Sequence, residues 1–158
     1  MAFLKPVRLL KYAITHHPSK EFLDEYFGAD TSKFSFRFDM LEPSEIEAGN
    51  LLVGFLKPKR LIRLPEVDNP ENIRTPDFII DGIRYEIKAP TSLDQIKKRI
   101  REGKVQVGQN GFIVMSTYNC RNQEERFLRR VTNEAKYFKI EELYYVSKNG
   151  VELIKIKK

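Results

Sequence analysis

Two runs of β-forming residues, Phe78-Ile79-Ile80 and Ile83-Arg84-Tyr85-Glu86-Ile87-Lys88, are separated only by Asp81-Gly82. Asp-Gly between apolar runs is a strong hairpin signal, because the favoured two-residue turn needs positive φ at both positions. The turn fixes a register in which Ile80 faces Ile83, Ile79 faces Arg84, Phe78 faces Tyr85 and Asp77 faces Glu86. Cross-strand neighbours have Cβ atoms about 5 Å apart, and like charges so placed are destabilising. Two facing carboxylates need a reason. A divalent cation between them supplies one, since hard cations such as Mg²⁺ prefer oxygen ligands. Alternation along the strand puts Lys88 on the face of Glu86 and sends Tyr85 and Ile87 to the other. From there a lysine reaches a phosphate or an attacking water and stabilises the charge that grows during reaction. Glu-x-Lys alone is commonly just a solvated strand edge. The Thr75-Pro76-Asp77 lead-in, the turn that pairs Asp77 with Glu86, and a helix after Lys88 distinguish this instance. Metal, activated water and a cation for developing charge are the elements that phosphodiester hydrolysis requires.

The rest of the chain supplies a frame for that hairpin. Ser19 is placed to cap a short helix through Phe27, with Phe22, Leu23, Tyr26 and Phe27 inward and Gly28 as the stop. Phe34-Ser-Phe-Arg-Phe38 alternates strictly and predicts a strand with one aromatic face covered. His16 and His17 are neighbours that point apart, which suits loop residues better than a metal pair. Pro43-Ser44-Glu45-Ile46-Glu47 has the form of a capping box with Ser44 as N-cap and Glu47 three residues on. That helix runs past Leu52 toward Phe55. Leu61 to Leu64 reads as a short strand and Asp68 to Asn72 as a loop. A helix is expected from Ser92 to about Arg101, with Leu93, Ile96 and Ile100 on one face. Phe112 to Met115 is a core strand. A second capping box, Asn122 with Glu125, opens a helix whose inward stripe is Phe127, Leu128, Val131, Ala135 and Phe138. Leu143 to Val146 and Val151 to Ile156 close the chain as a hairpin. The expected class is α/β with a mixed sheet.

Composition limits the alternatives. At 158 residues, 41% hydrophobic and 11% aromatic, the chain can bury an ordinary single-domain core. Cys120 is the lone cysteine, so neither an intrachain disulfide nor a cysteine-rich zinc site is available. No stretch approaches the length of a membrane span. The first twelve residues mix Lys5, Arg8 and Lys11 with apolar residues and lack a cleavable apolar leader, which points to action in the cytoplasm. The 28 Lys and Arg exceed the 22 Asp and Glu, giving a net charge of +6 that favours polyanionic partners.

Pro76-Asp77, eight intervening residues, and Glu86-Ile87-Lys88 are similar to the signature of the PD-(D/E)XK nuclease superfamily. The longer run from Ser44-Glu45-Ile46-Glu47-Ala48 through Thr75-Pro76-Asp77-Phe78-Ile79-Ile80-Asp81-Gly82 to Tyr85-Glu86-Ile87-Lys88-Ala89-Pro90 resembles the C-terminal tRNase domains of contact-dependent growth inhibition toxins. The likeness spans about Glu42 to Lys158 and is sharpest from Thr75 to Pro90. It implies a restriction-endonuclease-like αβββαβ core over residues 41–158, preceded by a small extension, residues 1–40, of no stated role. It also implies a Mg²⁺-class cation (Mn²⁺ and Zn²⁺ being alternatives) on Asp77, Glu86 and the backbone carbonyl of Ile87, with Lys88 catalytic. A further glutamate on the preceding helix completes such sites. Here it is Glu45 or Glu47, and Glu45 is preferred because the expected capping box occupies Glu47 and because Glu45 shares a helical face with Ala48, Gly49 and Leu52 that can lie against the sheet. The implied activity is metal-dependent hydrolysis of RNA, tRNA above all, by a toxin-like effector delivered from another cell and held in check by an immunity protein. Such domains ordinarily end a long secreted protein, whereas this chain opens on methionine. The same residues would equally serve a DNA endonuclease of restriction or junction-resolving type, or survive in a non-catalytic nucleic-acid-binding module.

Basic residues for a polyanion gather at Lys57 to Arg63, at Lys97, Lys98, Arg99, Arg101 and Lys104, and at Arg126 to Lys139. The middle group follows Lys88, so Lys97, Lys98 and Arg101 are candidate phosphate contacts, although a solvated helix face also accounts for them. Lys104 and Gln106 are candidates by resemblance, because related nucleases place a substrate contact before the next strand. Tyr85 and Tyr118 are candidates for stacking on bases, with core packing the stronger expectation for Tyr85.

Overall fold

The computed structural model describes residues 6–157. Among the described residues five α-helices are formed: α1 (Pro6–Thr15), α2 (Lys20–Phe27), α3 (Pro43–Leu56), α4 (Ile96–Val107) and α5 (Glu124–Tyr137). The strands are β1 (Ser35–Arg37), β2 (Leu61–Arg63), β3 (Glu66–Asn69), β4 (Phe78–Ile80), β5 (Ile83–Lys88), β6 (Phe112–Ser116), β7 (Glu142–Ser147) and β8 (Gly150–Lys155). Six of them make one mixed sheet in the order β2-β4-β5-β6-β7-β8. The strands β5, β6 and β7 run parallel, and each of the other neighbouring pairs is antiparallel. With this sheet the succession α3, β2, β4, β5, α4, β6 has the αβββαβ order that the resemblance implies, and the class is mixed α/β as anticipated.

Helices cover both faces. On one, Ala48, Leu52 and Val53 of α3, with Leu10 and Ala13 of α1, pack on Phe78, Ile80, Tyr85, Ile87 and Val114. On the other, Ile96 and Ile100 of α4 and Phe127, Val131 and Ala135 of α5 pack on Ile113, Met115 and Leu143. The inward stripe expected for α5 is therefore present. Residues before position 40 contribute directly to the core: Leu10 is 1% exposed, and its Cδ2 lies 3.1 Å from where a Cβ on Gly49 would stand. Among the described residues no helix is long and apolar enough to cross a membrane.

Several local expectations hold. The Ser19 hydroxyl accepts from Phe22 N–H, and Gly28, at φ +65°, ends α2. The β4–β5 register is Ile80 with Ile83, Ile79 with Arg84 and Phe78 with Tyr85, and both turn residues have positive φ, Asp81 at 47° and Gly82 at 82°. His16 stacks on Tyr12 and His17 on Phe38, so the neighbours do point apart.

Four expectations are corrected. Helix α3 begins two residues early, at Pro43, whose missing N–H suits the first helical position. Its N-cap is Glu42, whose N–H donates to Glu45 Oε1 at 2.9 Å, so the back-bonding residue is Glu45 and not Glu47. Residues 68 and 69 belong to a strand, because β3 pairs with β1 in a small separate sheet with Val67 opposite Phe36. The helix after Lys88 extends to Val107 behind a 3₁₀ turn at Leu93–Gln95, since Gly103 faces Ile113 across α4 and β6 and does not stop the helix. Asn122 and Glu125 form no capping box. They follow a 3₁₀ turn at Arg121–Gln123, and Glu124 instead accepts from the Thr117 hydroxyl and from Lys148 N–H.

Candidate metal and phosphate site

The ladder between β4 and β5 ends just where the carboxylates begin. Alternation from the turn makes Asp77–Glu86 a non-hydrogen-bonded position, the kind in which facing side chains come closest. At the next position Pro76 has no N–H to give the Ile87 carbonyl opposite. The Ile87 N–H is taken by Asp77 Oδ2 at 2.8 Å. The Asp77 carbonyl meanwhile accepts from Leu64 N–H at 3.0 Å, so the residue is pinned between the end of β2 and β5. Thr75 is buried and its hydroxyl donates to Pro65 O at 2.6 Å, which fixes the lead-in.

Glu86 is 5% exposed and its Oε1 is buried without a hydrogen-bond donor. Burial, then the charges of Glu86 and Glu45, push the Asp77 carboxyl well above the usual carboxylate range. Burial also pushes Glu86 up, against the opposing pull of Lys88. Lys88 Nζ stands 3.1 Å from Glu86 Oε2 and 3.7 Å from Glu102 Oε2, with the lysine side chain 12% exposed. Asp77, Glu86 and Lys88 are thus brought together as the sequence places them, all at the edge formed by the start of β4 and the end of β5, both interior strands of the sheet.

Glu45 joins this edge and Glu47 does not. Glu45 lines a cleft of about 180 Å³ with Asp77, Glu66, Arg37 and Arg63. Glu47 is ion-paired with Arg121. Glu45 itself is the back-bonding residue of the helix start, so the capping-box ground for preferring it is corrected, while the helical face it shares with Ala48, Gly49 and Leu52 is buried. Glu66 and Glu102 were not anticipated. Glu66, whose charge raises Glu86 further, sits on the unforeseen strand β3. Glu102 follows Arg99 by a helical i,i+3 spacing and bonds to it at 3.2 Å, a pattern that masks its turn toward Lys88.

The proposed phosphate contacts disperse. Lys97 Nζ lies 5.0 Å from the Tyr137 ring and Lys104 Nζ donates to Phe138 O at 2.5 Å, so both lean on α5. Lys98 reaches Glu102, Arg101 is exposed, and Gln106 donates to Thr75 O at 3.3 Å, two residues from Asp77. Tyr85 is in the core at 3% exposure, whereas Tyr118 is 38% exposed. A larger hollow of about 770 Å³ lies at the opposite ends of β5 and β6, beside Ile83, Gly108 and Phe112, away from the paired carboxylates.

Among the described residues no three His, Cys, Asp or Glu side chains converge as a ready-made metal site. The chemistry of the edge nevertheless fits a hard divalent cation: two close carboxyls, a donorless buried oxygen, and a strand carbonyl that Pro76 leaves without a ladder donor.

No family model and no curated protein matches the chain. Among solved structures, a chain of the CdiA-CT/CdiI toxin and immunity complex from Burkholderia pseudomallei is similar to it at 20% identity, over 77% of this chain and 97% of that one, with a TM-score of 0.45.

Proposed function

We propose that this protein is a metal-dependent nuclease that hydrolyses RNA phosphodiesters at the edge formed by Asp77, Glu86 and Lys88. The observation that carries the reading is the facing pair of carboxyls beside a nearly buried ammonium. Folding alone gains nothing from setting Glu86 against Asp77 with an oxygen left donorless. Asp77 and Glu86 would hold the cation, with the Ile87 carbonyl as a further ligand and Glu45 adding negative charge from α3. When bound, such a cation lowers the pKa of its water and polarises the phosphoryl oxygen. Lys88 presents its ammonium to the non-bridging oxygen of the phosphate, where charge accumulates during attack, and Glu86 and Glu102 aim it there. The substrate class, tRNA, and the role of a toxin-like effector that enters from another cell and is matched by an immunity protein rest on the residue likeness from Thr75 to Pro90.

Purified protein incubated with total tRNA and with duplex DNA, each with Mg²⁺ or EDTA, tests this. The expected outcome is tRNA cleavage that EDTA stops. Glu86→Ala and Asp77→Ala should abolish cleavage with unchanged circular dichroism. Lys88→Ala should lower the rate by about 100-fold or more, the scale on which losing one stabilising donor acts. Cleavage of DNA alone overturns the RNA assignment, and a folded, active Glu86→Ala protein overturns the site.

A further inference from the structure

The loop between β6 and α5 stands at the same edge as Lys88 and presents an aromatic ring there. Asn119 Nδ2 donates to Ala89 O at 3.0 Å and Cys120 Sγ to Pro90 O at 3.4 Å, so the loop is stapled to the two residues that follow Lys88. Within the loop, Cys120 N–H donates to Thr117 O at 2.7 Å and Tyr118 N–H to Ser116 Oγ at 3.2 Å. Thr117 is fully buried and its hydroxyl is held by Glu124. A loop tied at this many points is rigid, yet the Tyr118 side chain at its tip remains exposed. The Arg121 guanidinium lies 5.7 Å from the centre of the Tyr118 ring, and Glu47 binds the same guanidinium. With Glu47 as its counter-ion, Arg121 is engaged and backs the ring by a cation–π contact in place of waiting for a phosphate.

We infer that Tyr118, backed by Arg121 and Glu47, is a stacking platform for an unpaired nucleobase of the strand whose phosphate lies at Lys88. This rests on the nuclease reading for its substrate and deepens it, because a duplex keeps its bases stacked inside while a loop offers them to an aromatic face. The platform selects single-stranded or looped segments, and rigidity lowers the ordering cost of binding.

The test is binding without turnover. Wild-type protein in EDTA is titrated into an RNA hairpin carrying 2-aminopurine in its loop, into the same fluorophore within a fully paired RNA duplex, and into the corresponding DNA hairpin. The expected result is quenching and tight binding of the looped probe. Tyr118→Ala should weaken that binding about tenfold, the scale of one base–aromatic stack, with under a twofold change for the duplex probe. Tyr118→Phe should restore the loop affinity, since the ring and not the hydroxyl stacks. Quenching of the RNA hairpin, with or without the DNA hairpin, supports the platform, and the DNA arm says whether the sugar matters. Equal loop binding by Tyr118→Ala, equal losses on loop and duplex, or no binding of either hairpin by the wild type overturns it. The nuclease reading fails separately: a wild-type protein that binds the loop but cleaves no RNA in Mg²⁺ removes the chemistry and leaves the platform.

Discussion

Asp77 shows the tension between folding and chemistry at the scale of one residue. Its carboxyl is raised by burial and by the charges of Glu86 and Glu45. A raised acid is favoured by the fold in its neutral form. Its stability contribution is therefore complete below the ordinary carboxylate range and is lost as pH climbs through the raised value. Asn at this position stays neutral and still offers an oxygen to the Ile87 N–H. Asp77→Asn should accordingly stabilise the metal-free protein at neutral pH by about 1 kcal/mol, the scale of a relieved cross-strand like-charge pair. The gain should disappear near pH 3 to 4, the range of an unperturbed Asp. Thermal melts of both proteins across pH in EDTA measure this, and a variant less stable at neutral pH would contradict it. Asp77, Glu86 and Lys88 were legible before the fold was known because each lies within one hairpin, where register follows from the turn. Glu66 and Glu102 were not, because their approach to the site depends on β3 and α4 packing over distances that no local pattern encodes.

At the scale of elements, the Asp81-Gly82 turn does more than reverse the chain. Asp81 accepts from Lys59 N–H at 3.0 Å and Arg60 N–H at 2.8 Å, anchoring the segment that enters β2. Gly82 has φ +82°, where a Cβ is strained even though the space around it is open. Gly82→Ala should cost about 1–2 kcal/mol and lower the melting temperature by roughly 2–8 °C for a domain of this size. An unchanged melt would mean the turn relaxes to another type. The misplaced helix start has a related physical origin. Pro43, Ser44 and Glu42 all satisfy some rule for a helix beginning, and Pro43 at the first helical position decides in favour of Glu42 as cap. β3 escaped notice because its strand, Glu66–Asn69, is polar and exposed and pairs with a partner thirty residues away.

At the scale of the molecule, the net charge of +6 should make nucleic-acid binding fall with salt. Neutralising about three phosphates of a single-stranded segment predicts a loss of about 20-fold in affinity between roughly 50 and 200 mM salt. Filter binding or anisotropy across that range measures the slope, and a flat response would mean that the exposed lysines of α4 do not face the strand. The layer order was readable from alternating strand and helix patterns, and the covering of both sheet faces follows from the near-continuous apolar runs in β4 and β6. The incorporation of Leu10 and Ala13 into the main core was not readable, since ten residues of amphipathic helix do not say which sheet they will meet.

The two-residue turn also sets a rule for how this stretch of chain can change length. Every residue between Asp77 and Glu86 is either paired across the hairpin or part of its tip. Inserting one residue in a strand would carry Glu86 and Lys88 to the face of Tyr85 and Ile87, inside the apolar layer against α3. Additions of two residues on each strand keep the carboxylates opposed in a non-hydrogen-bonded pair. The gap between them is thus countable by parity, and single-residue insertions should be absent from functional variants of this hairpin while such symmetric lengthening is tolerated.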